Sequence, residues 1–195
     1  MTATVVLIGL AYILGSVPSG YVLGKLAGID VRNVGSGNIG AANVARAVGK
    51  WRGALTLVAD AAKGFLPVLI AIHSGMEPLA IAFTAIAAFL GHLYPLFLKF
   101  QGGKGVATAL GALLAIAPVA TLVLLALFAL VVFCSRIVSL SAMAAAVAAP
   151  LVLWLFYQPP SIIAMAFFFA AMIVLRHHGN IERLRAGTEP RFGEH

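Results

Sequence analysis

The chain has 195 residues, of which 62% are hydrophobic and 10% are charged, and its mean hydropathy is +1.05. Soluble domains carry about 25% charged residues, so this composition excludes an ordinary soluble fold and predicts an integral membrane protein. The net charge of +7 would suggest nucleic acid as the partner of a soluble protein. Here the basic residues lie in short segments between apolar runs, where the positive-inside rule accounts for them. We therefore expect membrane lipid, and no nucleic acid, as a partner.

Six apolar runs follow one another along the chain. The first has no basic segment before it, which favours a retained membrane span over a cleaved signal peptide. No hydrophilic stretch is long enough to fold separately, so we expect a single polytopic membrane domain over residues 1–195. The runs cover residues 3–25, 53–73, 78–98, 105–134, 137–157 and 160–176.

The fourth run is too long for one span, which needs about 17–25 residues, and Pro118 lies in its middle. If the chain turns near Ala117–Pro118, every Lys and Arg of the loops falls on one side of the membrane, whereas a single kinked helix divides them. The prediction is an all-α membrane protein with seven transmembrane helices, some short or broken, an external N-terminus and a cytoplasmic C-terminus. The predicted cytoplasmic segments are loops at about 26–52, 99–104 and 135–137 and a tail at 177–195.

The first loop contains the glycine-rich stretch "NVGSGNIGAANVAR" at residues 33–46. Its Gly-x-Gly-x-x-Gly pattern is not a dinucleotide fingerprint, because membrane helices flank it where that motif needs a strand. Successive glycines let backbone N–H groups approach an anion, and an arginine can hold a phosphate with two hydrogen bonds. A plain flexible loop is the alternative. The predicted phosphate-site residues are Gly35, Ser36, Gly37, Asn38, Asn43 and Arg46.

Two ionisable residues interrupt the second run in "LVADAAKGF". Asp60 and Lys63 are three residues apart, so they share one face of a helix. An ionisable group at the centre of a bilayer costs at least ~2.5–3.5 kcal/mol. We predict a structural ion pair that helps to hold helices together, in preference to a direct role in catalysis. His92, in "GHLYPLF", is expected to be a packed, hydrogen-bonded side chain.

A second glycine-rich loop, "FQGGKGVAT", spans residues 100–108. It cannot be aligned with the Walker A motif. It does place Lys104 in a glycine turn at the start of a helix, where a phosphate would meet backbone amides, the helix dipole and an ammonium group. A tight turn with a topogenic lysine is the alternative. The candidate residues of this loop are Gly102, Gly103, Lys104, Gly105 and Thr108.

The last helix ends in "RHHGNIERLR". His177 and Asn180 are three residues apart and share a helical face, whereas the adjacent His178 faces away. Because no further Cys or His cluster accompanies them, we predict no metal site. Cys134 is expected to be a packing residue, and the absence of Gly-x-Ser-x-Gly argues against a serine hydrolase.

Together these motifs resemble the bacterial acyl-phosphate:glycerol-3-phosphate acyltransferase family, known as PlsY. The resemblance covers residues 15 to 189. It implies an inner-membrane protein of seven helices with an active site that faces the cytoplasm. It implies transfer of an acyl chain from acyl phosphate to the 1-hydroxyl of sn-glycerol 3-phosphate, the first acylation of phospholipid synthesis, without a cofactor. The matching stretches are "GSVPSG", "DVRNVGSGNIGAANVAR", "DAAKG", "GHLYPLFLKFQGGKGVAT", "SRIVSLS" and "HHGNIERLRAGTE".

The resemblance also implies roles for individual residues. It assigns glycerol-phosphate binding to the loop at 102–105 and essential polar roles to Ser36 and Arg46, and His177 and Asn180 match its C-terminal motif. The serine of "SRIVSLS" is assigned to Ser139, with Ser141 as the alternative. We expect catalysis by positioning and charge stabilisation, with Ser36, Arg46, Lys104, His177 and Asn180 as the catalytic group. Either His177 or a substrate phosphate accepts the proton.

Two other classes of function compete with this interpretation. A transporter for phosphate-bearing solutes would fit the intramembrane charges and the interrupted helices, but its site belongs near the midplane, not at one face. A scaffold that binds lipid head groups would bind without turnover. The sequence leaves open the preferred acyl chain length, the oligomeric state and any contact with the enzyme that makes the acyl phosphate.

Overall fold

The computed structural model describes residues 2–193, and within this range the chain forms helices and loops with no β-strand. This confirms the all-α prediction. Short 3₁₀ turns occur at Val31–Asn33 and Leu96–Leu98. The α-helices are α1 (Thr2–Gly15), α2 (Ser19–Lys25), α3 (Ala41–Ala47), α4 (Lys50–His73), α5 (Pro78–Leu93), α6 (Val106–Ile116), α7 (Pro118–Ser135), α8 (Val138–Leu155), α9 (Pro160–Arg176) and α10 (His178–Arg185).

The lengths of the helices support membrane crossing. Within the described residues, five segments are long and apolar enough to span a bilayer. A sixth is obtained if α9 and α10, which meet at a bend of 58°, form one span. The predicted break in the fourth run is present, because α6 ends at Ile116 and α7 begins at Pro118. With 11 residues, α6 is shorter than a usual span, so seven crossings and the orientation of the termini stay predictions.

The helices form two compact units, the first ending at Ile116 and the second beginning at Ala117. In the first unit, α4 is central and packs against α1, α2, α3, α5 and α6. The approach of α4 to α6 depends on small residues: a Cβ on Gly64 would overlap the Thr108 carbonyl, and one on Gly111 would overlap the Ala61 carbonyl. Glycine therefore lets each helix touch the backbone of the other, as is common between membrane helices.

In the second unit, α8 packs between α7 and α9, and α10 contacts α9. Large apolar side chains remain exposed on these helices, among them Phe133 at 84% and Trp154 at 62%. Such surfaces are expected where lipid is the solvent. The single domain expected from the sequence stays a prediction.

Candidate active site

The first glycine-rich loop is organised around one buried side chain, Asn43 at the start of α3. Its Nδ2 donates to the carbonyls of Val31, Val34 and Asn38 at 2.9, 3.0 and 2.9 Å. Its Oδ1 accepts from the N–H of Ser36 at 2.9 Å. Because the side chain is only 2% exposed and its amide is occupied by the loop, Asn43 holds the loop in shape. The prediction from the sequence that Asn43 contacts phosphate therefore differs from the role that its hydrogen bonds show.

Two glycines give this loop its conformation. Gly35 and Gly37 have φ of +61° and +69°, a region that side chains other than glycine rarely adopt. A Cβ on Gly35 would also overlap Oδ1 of Asn43. The loop can therefore fold around Asn43 only with glycine at this position.

The polar groups of the loop that face outwards are Ser36 and Arg46. Both are exposed, Ser36 in the turn between the two glycines and Arg46 in the last turn of α3. Asn38 is half-buried, and its Oδ1 accepts from the N–H of Gly40 at 2.8 Å, directly before α3 begins. A rigid loop thus presents a hydroxyl and a guanidinium group, which suits an anionic ligand.

Charged residues stabilise the segment that precedes this loop. The Asp30 carboxylate accepts from Nε and Nη2 of Arg32 at 2.9 and 2.7 Å, and Nζ of Lys25 lies 3.2 Å from it. Hydrogen bonds from Arg32 are the main reason why the pKa of Asp30 is far below its usual range, and Asp30 in turn raises the pKa of Arg32. The Arg32 guanidinium also stacks 4.6 Å from the centre of the Tyr21 ring.

An apolar cluster connects the first glycine-rich loop with the 3₁₀ turn that leads into the second. Val31, Ile39 and Val44 of the first loop are buried with Leu98, which lies at the end of the 3₁₀ turn that leads to the second loop. Leu98 is followed four residues later by Gly102. The turn that leads into the second loop therefore packs against the core of the first loop.

The second glycine-rich loop is anchored on the C-terminal end of α5. The N–H groups of Gly102 and Gly103 donate to the carbonyls of Leu93 and His92, each at 3.1 Å. We had expected these amides to face a phosphate, but in the structure they hold the loop. Lys104 is half-buried, and α6 begins two residues later at Val106. The ammonium of Lys104 and the partial positive charge at the N-terminus of α6 are the groups of this loop that favour an anion.

The segment before this loop is strained. Lys99 and Phe100 have φ of +51° and +62°, although neither is glycine. Each such residue costs about 1–3 kcal/mol and persists only where surrounding contacts impose it. The N–H of Phe100 donates to the Pro95 carbonyl at 3.0 Å and that of Gln101 to the Leu98 carbonyl at 3.0 Å. Strain held by fixed contacts is typical of a preorganised functional loop.

Three other residues singled out in the sequence lie deeper in the first unit. Asp60 and Lys63 form a buried ion pair, with 2.9 Å between Nζ and Oδ1. Thr108 is fully buried in α6, and among the described residues its Oγ1 has no hydrogen-bond partner. Its backbone carbonyl faces Gly64 of α4.

In the second unit, His177 lies at the bend between α9 and α10 and is 3% exposed, whereas His178 is exposed. Nδ1 of His177 is 2.7 Å from the Ile173 carbonyl. A carbonyl can only accept, so Nδ1 carries a proton and donates to it. In the neutral ring, Nε2 then carries the lone pair.

A carboxylate organises the C-terminal segment that follows His177. Oε1 of Glu189 accepts from Oγ of Ser139 at 2.6 Å and from Nδ2 of Asn180 at 2.5 Å, and Oε2 accepts from Nε of Arg183 at 2.7 Å. The Oγ of Ser141 instead donates to the carbonyl of Ile137 in its own chain segment. Of the two serines considered, Ser139 is therefore the one that joins Asn180.

Glu189 and Arg183 were not among the candidate residues from the sequence. The one available signal was that Glu189 closes the resembling stretch "HHGNIERLRAGTE", as an acid in a basic tail. Burial would raise the pKa of Glu189, but hydrogen bonds from Ser139, Asn180 and Arg183 hold it below its ordinary value. Among the described residues no group of three or more His, Cys, Asp and Glu is placed to hold a metal ion.

This lowered pKa predicts an acid-sensitive second unit. A depressed carboxyl pKa contributes stability that is present above the unfolded value and is lost as the pH falls through the folded value. We expect the melting temperature of the wild type to fall more steeply between neutral pH and the pH at which glutamate is protonated than that of Glu189→Gln. Melting curves of the two proteins across this pH range measure how steeply each melting temperature falls. Parallel curves would show that the Glu189 charge contributes no stability.

Comparison with known proteins gives consistent results. The glycerol-3-phosphate acyltransferase family model matches residues 5–187. A glycerol-3-phosphate acyltransferase of Geotalea daltonii is 48% identical over 192 residues, which cover 98% of this chain and 99% of that protein. The crystal structure of PlsY, an integral membrane glycerol 3-phosphate acyltransferase, in its glycerol 3-phosphate form superimposes with a TM-score of 0.95 at 45% identity, over 98% of this chain and 96% of the other. Its lysophosphatidic acid form gives a TM-score of 0.92 at 43% identity, with the same coverage.

Proposed function

The chain belongs to the glycerol-3-phosphate acyltransferase family, and on that premise we propose that it transfers an acyl chain from acyl phosphate to the 1-hydroxyl of sn-glycerol 3-phosphate. The products are 1-acyl-sn-glycerol 3-phosphate and inorganic phosphate. The relative solved in a glycerol 3-phosphate form supports the acceptor. The reaction is the first acylation of phospholipid synthesis.

The observation that carries the proposal is the packing of Leu98, in the turn that leads into the second glycine-rich loop, against the buried core of the first. The reaction needs two phosphates to be held close together, one on each substrate. The first loop offers Ser36 and Arg46, and the second offers Lys104 at the start of α6. We assign glycerol 3-phosphate to the second loop and the phosphate of the donor to the first.

The chemistry then requires the protein to position the two substrates, to stabilise developing charge and to provide an acceptor for the hydroxyl proton. An acyl phosphate is a mixed anhydride, so the oxygen of the 1-hydroxyl attacks the acyl carbon and the bond from that carbon to the phosphate oxygen breaks. Arg46 stabilises the charge that develops on the leaving phosphate. Lys104 fixes the phosphate of the acceptor and so aligns its hydroxyl. No covalent acyl-enzyme is needed.

The first test is phosphate release by the purified protein in detergent. We expect release from palmitoyl phosphate only when glycerol 3-phosphate is present, with lysophosphatidic acid as the product and palmitoyl coenzyme A inert. Product from the thioester would assign a different donor. No product from either donor, in protein with a cooperative melting transition, would favour a transporter or a lipid-binding protein.

His177 is the proposed acceptor of the hydroxyl proton, because its Nδ1 donates to the Ile173 carbonyl and its Nε2 holds the lone pair. We expect His177→Ala to reduce kcat by about 10²–10⁴-fold, the usual contribution of general base catalysis. The KM for glycerol 3-phosphate should change little. Steady-state kinetics measures both, with His178→Ala, an exposed neighbour, as the matched control. Near-normal turnover of folded His177→Ala would assign the proton to a substrate phosphate.

We place the protein in the cytoplasmic membrane of a bacterium with the active site facing the cytoplasm, in line with the positive-inside rule. The proposal puts the loops at about 26–52, 99–104 and 135–137 and the tail at 177–195 on that side. Labelling of single cysteines in these segments in spheroplasts and in inverted vesicles tests it, after replacement of Cys134.

A further inference from the structure

A row of buried charged and polar side chains crosses the first unit, and the proposed chemistry does not use it. Asp60 of α4 lies between Lys63, 2.9 Å away from Nζ to Oδ1, and His92 of α5, 3.8 Å away from Nδ1 to Oδ1. The side chains of Asp60, Lys63 and His92 are 3–4% exposed. Ionisable groups inside a membrane span are costly to bury, so this row needs a reason beyond packing.

Lys63 lies at one end of the row, where it contacts the interruption in the first span. Helix α1 ends at Gly15 and α2 begins at Ser19, because Pro18 has no N–H with which to continue the helical ladder. The carbonyl of Val17 lies in this break and accepts from Nζ of Lys63 at 3.0 Å. Lys63 therefore has a role in the fold that does not involve the loops.

His92 ends the row at the second glycine-rich loop. Its carbonyl accepts from the N–H of Gly103, and its ring lies against the same residue, since a Cβ on Gly103 would overlap Nε2. His92 therefore touches the loop with both its backbone and the edge of its ring. The direction in which that ring presents its N–H and its lone pair affects the residues around Lys104.

We propose that Asp60 is a positioning residue, which holds the His92 ring with its N–H on Nδ1 and its lone pair on Nε2, towards the glycine loop. The 3.8 Å from Asp60 to Nδ1 is longer than a direct hydrogen bond, so the carboxylate acts through its field on the ring dipole. That field is strong because both groups are buried. The lone pair on Nε2 then faces Gly103, where it can accept a hydrogen bond from the loop and so position the adjoining Lys104. The inference rests on the proposed function, in which this loop holds glycerol 3-phosphate.

A double variant distinguishes this positioning role of Asp60 from a purely structural ion pair with Lys63. Asp60→Asn alone leaves the Lys63 charge buried without a partner, which destabilises any protein. The double variant Asp60→Asn/Lys63→Gln removes both charges and keeps similar side-chain volumes. If Asp60 and Lys63 only stabilise the fold, this variant behaves like the wild type.

We expect the folded double variant to show a KM for glycerol 3-phosphate raised about 10–100-fold, by analogy with the loss of a residue that orients a metal-ligating histidine. The KM for acyl phosphate should be unchanged. In Thr84→Val, a buried control on the same helix as His92, the KM values for both substrates should be unchanged. An unchanged KM for glycerol 3-phosphate in the double variant overturns the inference. Absence of turnover in the wild type overturns the proposed function instead.

A second measurement does not depend on turnover. The ¹⁵N chemical shifts of the His92 ring in the wild-type protein report which nitrogen carries the proton, once the other histidines have been replaced one at a time for assignment. We expect a protonated Nδ1 and an unprotonated Nε2. A proton on Nε2 at neutral pH overturns the inference, whatever the kinetics.

Discussion

Asn43→Ala is expected to reduce acyl transfer by about a hundredfold or more, the usual cost of displacing positioning groups by about 1 Å. The substitution removes the donor to three carbonyls and the acceptor for the N–H of Ser36. The bond to Val31 is buried, so no water replaces it, whereas the others lie at part-buried positions. With about 1–3 kcal/mol for each unsatisfied buried group, we expect a stability loss of about 2–4 kcal/mol. Melting curves and kcat measure both effects.

Two further variants identify the cause. Asn43→Asp keeps the size of the side chain and the acceptor for Ser36, but places an oxygen where Nδ2 now donates to the carbonyls. It should therefore reduce activity as much as Asn43→Ala does. Asn33→Ala changes an exposed asparagine of the same loop and should leave activity within about twofold, as is usual for surface substitutions. Wild-type activity in Asn43→Asp would mean that the hydrogen bonds from Nδ2 do not organise the loop.

The architecture was largely predictable because it follows from composition and charge. Apolar runs predicted the spans, and the positions of Lys and Arg predicted the interruption at Ala117–Pro118 that separates α6 from α7. The interruption at Pro18 was not predicted. The first run is apolar on both sides of Pro18 and no longer than one span, so the short dip in hydropathy at residues 15–20 did not divide it. The Lys63 contact to Val17 comes from a residue far along the chain.

The residue types of the candidate site were predictable, but their individual tasks were not. Glycine, asparagine and arginine in one loop indicate anion binding whichever of them touches the anion. Only the fold distinguishes Asn43, which is buried with an occupied amide, from Ser36, which is exposed. The same holds for Gly102 and Gly103, whose N–H groups are used by carbonyls of α5.

Glu189 illustrates the physical limit of sequence reasoning. Its partner Ser139 is fifty residues away in sequence, and no periodicity connects a residue of the tail with the first turn of α8. Such a pairing depends on how the chain returns on itself, and here the N–H of Phe192 donates to the carbonyl of Arg136 at 2.6 Å. The tail is thus fixed beside the loop between α7 and α8.

Replacement of Glu189 is the second change expected to have a large effect. Glu189→Ala leaves the amide of Asn180 without its anchor and Arg183 without its counter-ion. We expect a stability loss of about 3 kcal/mol, the lower end for breaking a buried ion pair, because the Arg183 side chain is 38% exposed. We also expect kcat to fall by about a hundredfold, because Asn180 is no longer held in one orientation. Melting curves and steady-state kinetics measure the two losses.

The two losses have separate origins, and Arg183→Gln separates them. This variant removes the charge that pairs with Oε2 but leaves Oε1 to accept from Ser139 and Asn180, so it should lower the melting temperature while kcat stays within about twofold. Glu182→Gln, an exposed acid on the same helix, should change neither quantity. If Arg183→Gln lowers kcat as much as Glu189→Ala does, activity depends on the stability of the tail and not on the orientation of Asn180. A normal kcat in Arg183→Gln, with a strongly reduced one in Glu189→Ala, makes the contact from Oε1 to Asn180 the contribution of Glu189 to catalysis.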